Sequence, residues 1–289
     1  GGKAFPLLDG IFEGPPEWTF RQIAESSGVH ELDVYARAKA LTGRYEIRIT
    51  ELRPATENDR DLQRARKLWW ESRRLDLQGR HFEARPPLIE SLKIHEKVLG
   101  PDDPFVAVTL ALLAGNYRNT GDYASAEPLQ LRQLKIAEKT RGPDHPEVAT
   151  VLTGMVADEM DKNDYLKVEE LALRAIAIFE KAQRAETSFQ VAWLSNGLGS
   201  MHYERGDYGR AEQYYQRARV IQEKMFGPEH FHLSDSFSLL GRVAYDTGDY
   251  AKAKALYERA LTLWEKALGP DHLGATGYRN DLAAVYITT

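Results

Sequence analysis

Gly206-Asp207-Tyr208-Gly209-Arg210-Ala211 and Gly248-Asp249-Tyr250-Ala251-Lys252-Ala253 are two copies of one hexad, 42 residues apart. Further copies start at Gly121-Asp122-Tyr123, Asn163-Asp164-Tyr165 and, more loosely, Gly79-Arg80-His81, so successive starts are separated by 42, 42, 43 and 42 residues. Two other markers keep the same step. One is Glu96-Lys97, Glu138-Lys139, Glu180-Lys181, Glu223-Lys224 and Glu265-Lys266. The other is Gly-Pro-acid at Gly100-Pro101-Asp102, Gly142-Pro143-Asp144, Gly227-Pro228-Glu229 and Gly269-Pro270-Asp271. Three markers in one register identify an internal repeat.

The punctuation of one unit predicts two helices. Leu113, Met155, Leu198, Leu240 and Leu282 stand eight residues before the glycine slot, each followed by a mostly small residue (Ala114, Val156, Gly199, Gly241, Ala283). A large apolar side chain beside a small one lets a neighbouring helix approach closely, and this stretch is helix A. Glycine ends it, because glycine adopts the left-handed conformation at a helix C-terminus without steric cost, and Asn163 is the next most tolerant choice. The aspartate after the slot (Asp122, Asp164, Asp207, Asp249) is placed to cap helix B, which runs to the Glu-Lys pair. The second glycine and its proline stop helix B.

Paired helices, a glycine turn and small residues at the crossings resemble the tetratricopeptide repeat, whose usual period is about 34 residues. The longer unit here, with Glu-Lys and then Gly-Pro-Asp-His-Pro at Gly142 to Pro146, is similar to the repeat of kinesin light chains and their bacterial relatives. The resemblance spans roughly Asp61 to Thr289 and implies an all-α fold, a right-handed α-solenoid of tetratricopeptide helix pairs. The expected organisation is an irregular lead-in and helical N-terminal cap over 1–58, then a solenoid of about five repeats plus a terminal helix over 59–289.

The 289 residues are 43% hydrophobic and 28% charged, enough apolar surface for the continuous core of a stacked array. No run approaches the ~18 apolar residues of a spanning helix, so no membrane partner is expected. The net charge of −5 argues against nucleic acid as a general partner. The absence of cysteine excludes disulfides, thiolate metal sites and cysteine nucleophiles. Gly1-Gly2 reads as a tag remnant, no secretory signal is visible, and the expected location is the cytoplasm.

Residues 1–17 are rich in Gly and Pro and read as irregular. Helices containing Phe20, Ile23 and Ala24, and then from about Glu31 to Leu41, have helix-turn-helix spacing over residues 18–42, although Glu31 and Asp33 would meet phosphates with the wrong sign. The expected reading is therefore a degenerate hairpin capping the array, with the DNA-binding one as the alternative. Tyr45, Ile47 and Ile49 fit a short strand or part of a helix. The first full repeat departs from the rest by Glu71 at the leucine position, His81 for tyrosine, and Pro86-Pro87, which predict a kink or a late start in its helix B. Arg184-Ala185-Glu186 replaces Gly-Pro-acid after the third repeat, so local geometry should change there.

No catalytic constellation emerges: Gly-x-Ser-x-Gly, His-Glu-x-x-His, a phosphate loop and a calcium loop are all missing. His145, His230 and His272 recur at one slot, which favours a structural role over metal binding. No cofactor is expected. The remaining signal is a stripe on helix A at positions −13, −10, −6 and −3 from the glycine slot, which would face a concave groove. The candidate partner-binding residues there are Trp193 (−13), Asn196 and Asn280 (−10), Arg242 (−6), and Arg118, Tyr203 and Tyr245 (−3). The kinesin light chain resemblance implies an asparagine at −10 that holds an extended peptide; Gly197 and Asp281 replace the second asparagine of that family's pair. Asparagine donates and accepts together, Arg242 suits an acidic side chain, and the tyrosines offer apolar faces with a polar tip or simply fill space between helices. The expected function is a non-catalytic scaffold that binds a peptide or partner protein in the groove. The alternatives are a transcriptional regulator reading DNA through residues 18–42, and the sensor portion of a larger enzyme.

Overall fold

The structure, a computed structural model, describes residues 54–184 and 188–288. The helix-turn-helix, hairpin-cap and strand expectations for the first 53 residues lie outside them. Among the described residues there are eleven helices and no strand. The A helices are α1 (Glu57–Leu77), α3 (Pro104–Asn119), α5 (Pro146–Asp161), α7 (Phe189–Glu204), α9 (Leu233–Asp246) and α11 (Ala275–Thr288). The B helices are α2 (His81–Leu99), α4 (Tyr123–Arg141), α6 (Tyr165–Lys181), α8 (Tyr208–Phe226) and α10 (Tyr250–Leu268). Each helix packs on its neighbours in sequence, as in a solenoid.

The turns form as their residues dictate. After α3 the amide of Gly121 (φ 76°) bonds the carbonyl of Arg118, and that of Asp122 bonds Tyr117, which together make a Schellman closure. Asn163 makes the same closure at φ 59°. The aspartates then cap helix B: Asp122 accepts from the amide of Ser125, Asp164 from Lys167, Asp207 from Arg210 and Asp249 from Lys252. The repeated histidine is a cap as well, since the Nδ1 atoms of His145, His230 and His272 accept from the amides of Glu147, His232 and Gly274.

The Glu-Lys marker ties one repeat to the next. Glu96, Glu138 and Glu180 pair with Arg132, Arg174 and Arg217 on the following helix B, while Lys97, Lys139, Lys181 and Lys266 reach back to Asp61, Asp102, Asp144 and Glu229. Such partly exposed pairs add little stability singly. Repeated at each step, they fix the register of the stack.

The late start expected of α2 is not found, while the change expected after the third repeat is. Helix α2 starts on the same schedule as the other B helices, so Pro86 and Pro87 do not delay it. Pro86 occupies the same slot as Pro128 of α4, and both are exposed together with the residues four before them, Phe82 and Ala124, so the carbonyls they free lie on a solvent-facing side of the helix. After the third repeat, α6 ends at Lys181 and closes on Gln183 (φ 55°), a left-handed non-glycine where glycine would be easier.

The first helix also explains Glu71. Positions −15, −12, −8 and −5 are buried or partly buried in every later A helix, but in α1 they carry Arg64, Lys67, Glu71 and Arg74, all exposed. Later units press these slots onto the preceding helix B. Among the described residues no helix B precedes α1, and these slots carry charged side chains there.

Candidate functional site

Direct contacts between α1 and α3, α5 and α7, and α9 and α11 place the A helices side by side along the inner wall. At 100° per residue, positions −13, −10, −9, −6, −3 and −2 of an A helix fall within about 60° of position −6, so they share one face.

Six of the seven candidates cluster on α7, α9 and α11. Asn196 lies half-buried on α7, and its Oδ1 is enclosed with no hydrogen-bond partner. Trp193, one turn earlier, packs partly against the core. The guanidinium of Arg242 lies 4.6 Å from the centre of the Tyr203 ring, and the Tyr203 hydroxyl donates to Asp246 of α9. Tyr245 shares a hydrogen bond of 2.8 Å with Thr288 of α11, and Asn280 stands exposed on α11. Arg118 stands apart. It pairs at 3.1 Å with Asp158, a carboxylate only 3% exposed, and so joins α3 to α5. The reading of the tyrosines as space-fillers between helices is half right: both rings bridge A helices, and both remain partly exposed.

Two residues of the wall come from B helices and escape a search along helix A. Tyr215 crosses Gly199, where an added Cβ would lie 2.5 Å from the ring, and its hydroxyl bonds Ser200 at 3.1 Å. Tyr257 crosses Gly241 in the same way, at 2.6 Å. The signal was the glycine itself. At the corresponding slots of the other repeats stand Ser72 and Leu88, Ala114 and Gln130, and Val156 and Ala172, so the smallest A residues, the two glycines, stand opposite the largest B residues, the two tyrosines.

Burial, more than any other influence, raises the pKa of the phenols here. Tyr203 is pushed up to about 12 by burial and by its bond to Asp246. Tyr278 is raised by burial and by the hydrogen bond it gives Asp235 at 2.6 Å, and Tyr257 by burial and the charge of Asp281. The hydroxyls therefore stay protonated near neutral pH, and those of Tyr203 and Tyr278 act as donors that orient carboxylates. Among the described residues no three histidine or acidic side chains stand together as metal ligands, and no helix is long and apolar enough to cross a membrane.

A family model described as the tetratricopeptide repeat matches residues 76–130, 105–181, 190–266 and 233–289. Among solved structures, a putative kinesin light chain with tetratricopeptide-like repeats from Podosopora anserina is 22% identical with a TM-score of 0.60, over 71% of this chain and 97% of that one. A signal-transduction ATPase with a tetratricopeptide repeat sensor from Pyrococcus horikoshii is 16% identical with a TM-score of 0.66, over 79% of this chain and 34% of that one. A Rap protein solved with competence and sporulation factor is 18% identical with a TM-score of 0.57, over 79% of this chain and 64% of that one. At these identities the likeness is one of fold. No curated protein matches the chain. The helix pairs, their Schellman turns and a family match over most of the described length agree, and the chain belongs to the tetratricopeptide repeat family.

Proposed function

We propose that this protein is a non-catalytic interaction scaffold that receives a peptide or partner protein along the inner wall of α7, α9 and α11. The observation that carries the reading is the Oδ1 of Asn196, an enclosed acceptor without a partner on the α7 edge of that wall. An unmet buried acceptor costs about 1–3 kcal/mol, and turning the amide outward to meet a donor from a bound chain removes that cost. Arg242 and Asn280 follow it on the next two A helices. The Rap protein, a relative in fold, is solved with a bound factor, which agrees with a wall built for binding.

The test is partner capture on immobilised protein read by mass spectrometry. Asn196→Ala and Asn280→Ala should each lower capture of the same partner at unchanged helical content. Unchanged capture by both variants removes the wall from the function.

A further inference from the structure

Carboxylates on the two sides of this solenoid are treated differently. On the outer side, Glu138, Asp144, Glu180 and Glu229 are each neutralised by lysine or arginine. On the inner wall of α7, α9 and α11 the six facing positions carry Glu204, Asp235, Asp246 and Asp281 against a single base, Arg242, a net charge of −3. Among the described residues no cationic nitrogen lies within 4.0 Å of any of these four acids.

Three of the four are instead fixed by neutral hydroxyls. Tyr203 donates to Asp246, Tyr278 to Asp235 at 2.6 Å, and Ser238 to Asp281 at 2.9 Å. A hydroxyl donor fixes a carboxylate in place and leaves its charge intact. The one guanidinium lies over the ring of Tyr203 and also feels the charge of Asp281, beyond ion-pair distance.

A second observation points to a ligand at the same place. Tyr257 is only 3% exposed, its ring is threaded through the gap left by Gly241, and its hydroxyl, beside Asp281 and Asp246, makes no hydrogen bond among the described residues. The enclosed Oδ1 of Asn196 is a further acceptor on the same wall. The surface therefore offers oriented acceptors and negative charge, with the indole of Trp193 and the phenol of Tyr245 available to cover alkyl stems or cations.

We infer that the occupant of this wall is a basic segment of a partner, an extended peptide whose lysine or arginine side chains meet Asp235, Asp246 and Asp281. This rests on the inner-wall reading above and replaces the sequence-based expectation that Arg242 recruits an acidic side chain.

The test measures fluorescence anisotropy of two labelled probes with the full chain, one of alternating lysine and serine, the other of alternating glutamate and serine. The lysine probe should bind, weaken as salt rises, and lose about tenfold in affinity to the double variant Asp246→Asn with Asp281→Asn. The control Glu170→Gln with Asp271→Asn, an equal charge change away from the wall, should leave binding unchanged. Tyr257→Phe should weaken it without altering helical content. The inference is overturned if the glutamate probe binds as well, if the control weakens the lysine probe as much as the inner-wall double variant does, or if the lysine probe does not bind. Those results leave the inner-wall reading itself to capture by Asn196→Ala, which can still succeed with a partner of other charge.

Discussion

Replacing Gly241 by alanine sets two effects of opposite sign against each other. An interior helical glycine is about 1 kcal/mol less favourable than alanine, so the change should stabilise α9 wherever the methyl has room. At Gly241 it does not: the new Cβ would lie 2.6, 2.8 and 3.1 Å from Cε1, Cδ1 and Cζ of Tyr257, a ring 3% exposed and held between α9 and α10. Displacing such a ring costs about 1–3 kcal/mol, so after the ~1 kcal/mol helix gain the net effect should be a loss of up to ~2 kcal/mol. Gly115 and Gly154 are the internal reference, because a Cβ there meets nothing within 4 Å; Gly154→Ala should gain ~0.5–1 kcal/mol. The double variant Gly241→Ala with Tyr257→Leu should recover much of the loss, since the first repeat carries leucine, Leu88, at the slot of Tyr257 and a residue with a Cβ, Ser72, at the slot of Gly241. Urea titration followed by far-ultraviolet circular dichroism reads all four proteins. If Gly241→Ala is as stabilising as Gly154→Ala, the ring does not occupy the gap, and the claim that tyrosines reach the inner wall from helix B fails with it.

Other expectations follow from single sites. His95 is buried, and its Nδ1 lies 3.0 Å from the Thr109 hydroxyl, which itself donates to the carbonyl of Phe105. Burial lowers its proton affinity, Asp103 raises it and Arg66 lowers it, with the net direction downward. The unfolded chain then binds the proton more readily, so this contribution to stability is present above the ordinary imidazole value of ~6.5 and is lost as pH falls below it. His95→Gln should flatten the decline in melting temperature between neutral and mildly acidic pH. Gln183→Gly should stabilise the third link by about 1 kcal/mol, measured as a shift of the urea midpoint, because it relieves a left-handed non-glycine residue.

What could be read from the sequence was whatever repeats. The glycine slot, the capping aspartates and the leucine eight residues before the slot are local signals, and each recurs at one structural position because the same turn or packing contact recurs. The departures were legible as departures but not as causes. Glu71 is explained only once position −8 is seen to press on a preceding helix B, which α1 does not have among the described residues. Pro86 and Pro128 share a slot that proves to be solvent-facing, and no periodicity reveals that. At the candidate site, helical spacing identified Asn196, Tyr203 and Arg242. Counting along one helix could not reveal that Arg242 lies over the ring of Tyr203, that Arg118 is spent on Asp158, or that Tyr215 and Tyr257 arrive from the other helix of the pair. Those are contacts between residues some 15 to 43 positions apart, and they became visible only with the helices in place.

The central claim is that the inner wall of α7, α9 and α11 is the part of this protein that holds another molecule. Hydrogen–deuterium exchange on the protein with and without its captured partner tests it most directly. The account predicts added amide protection concentrated on those three helices, with α4, α6 and the outer turns of α8 and α10 unchanged. Protection confined to the B helices or to the α1–α2 end would contradict it.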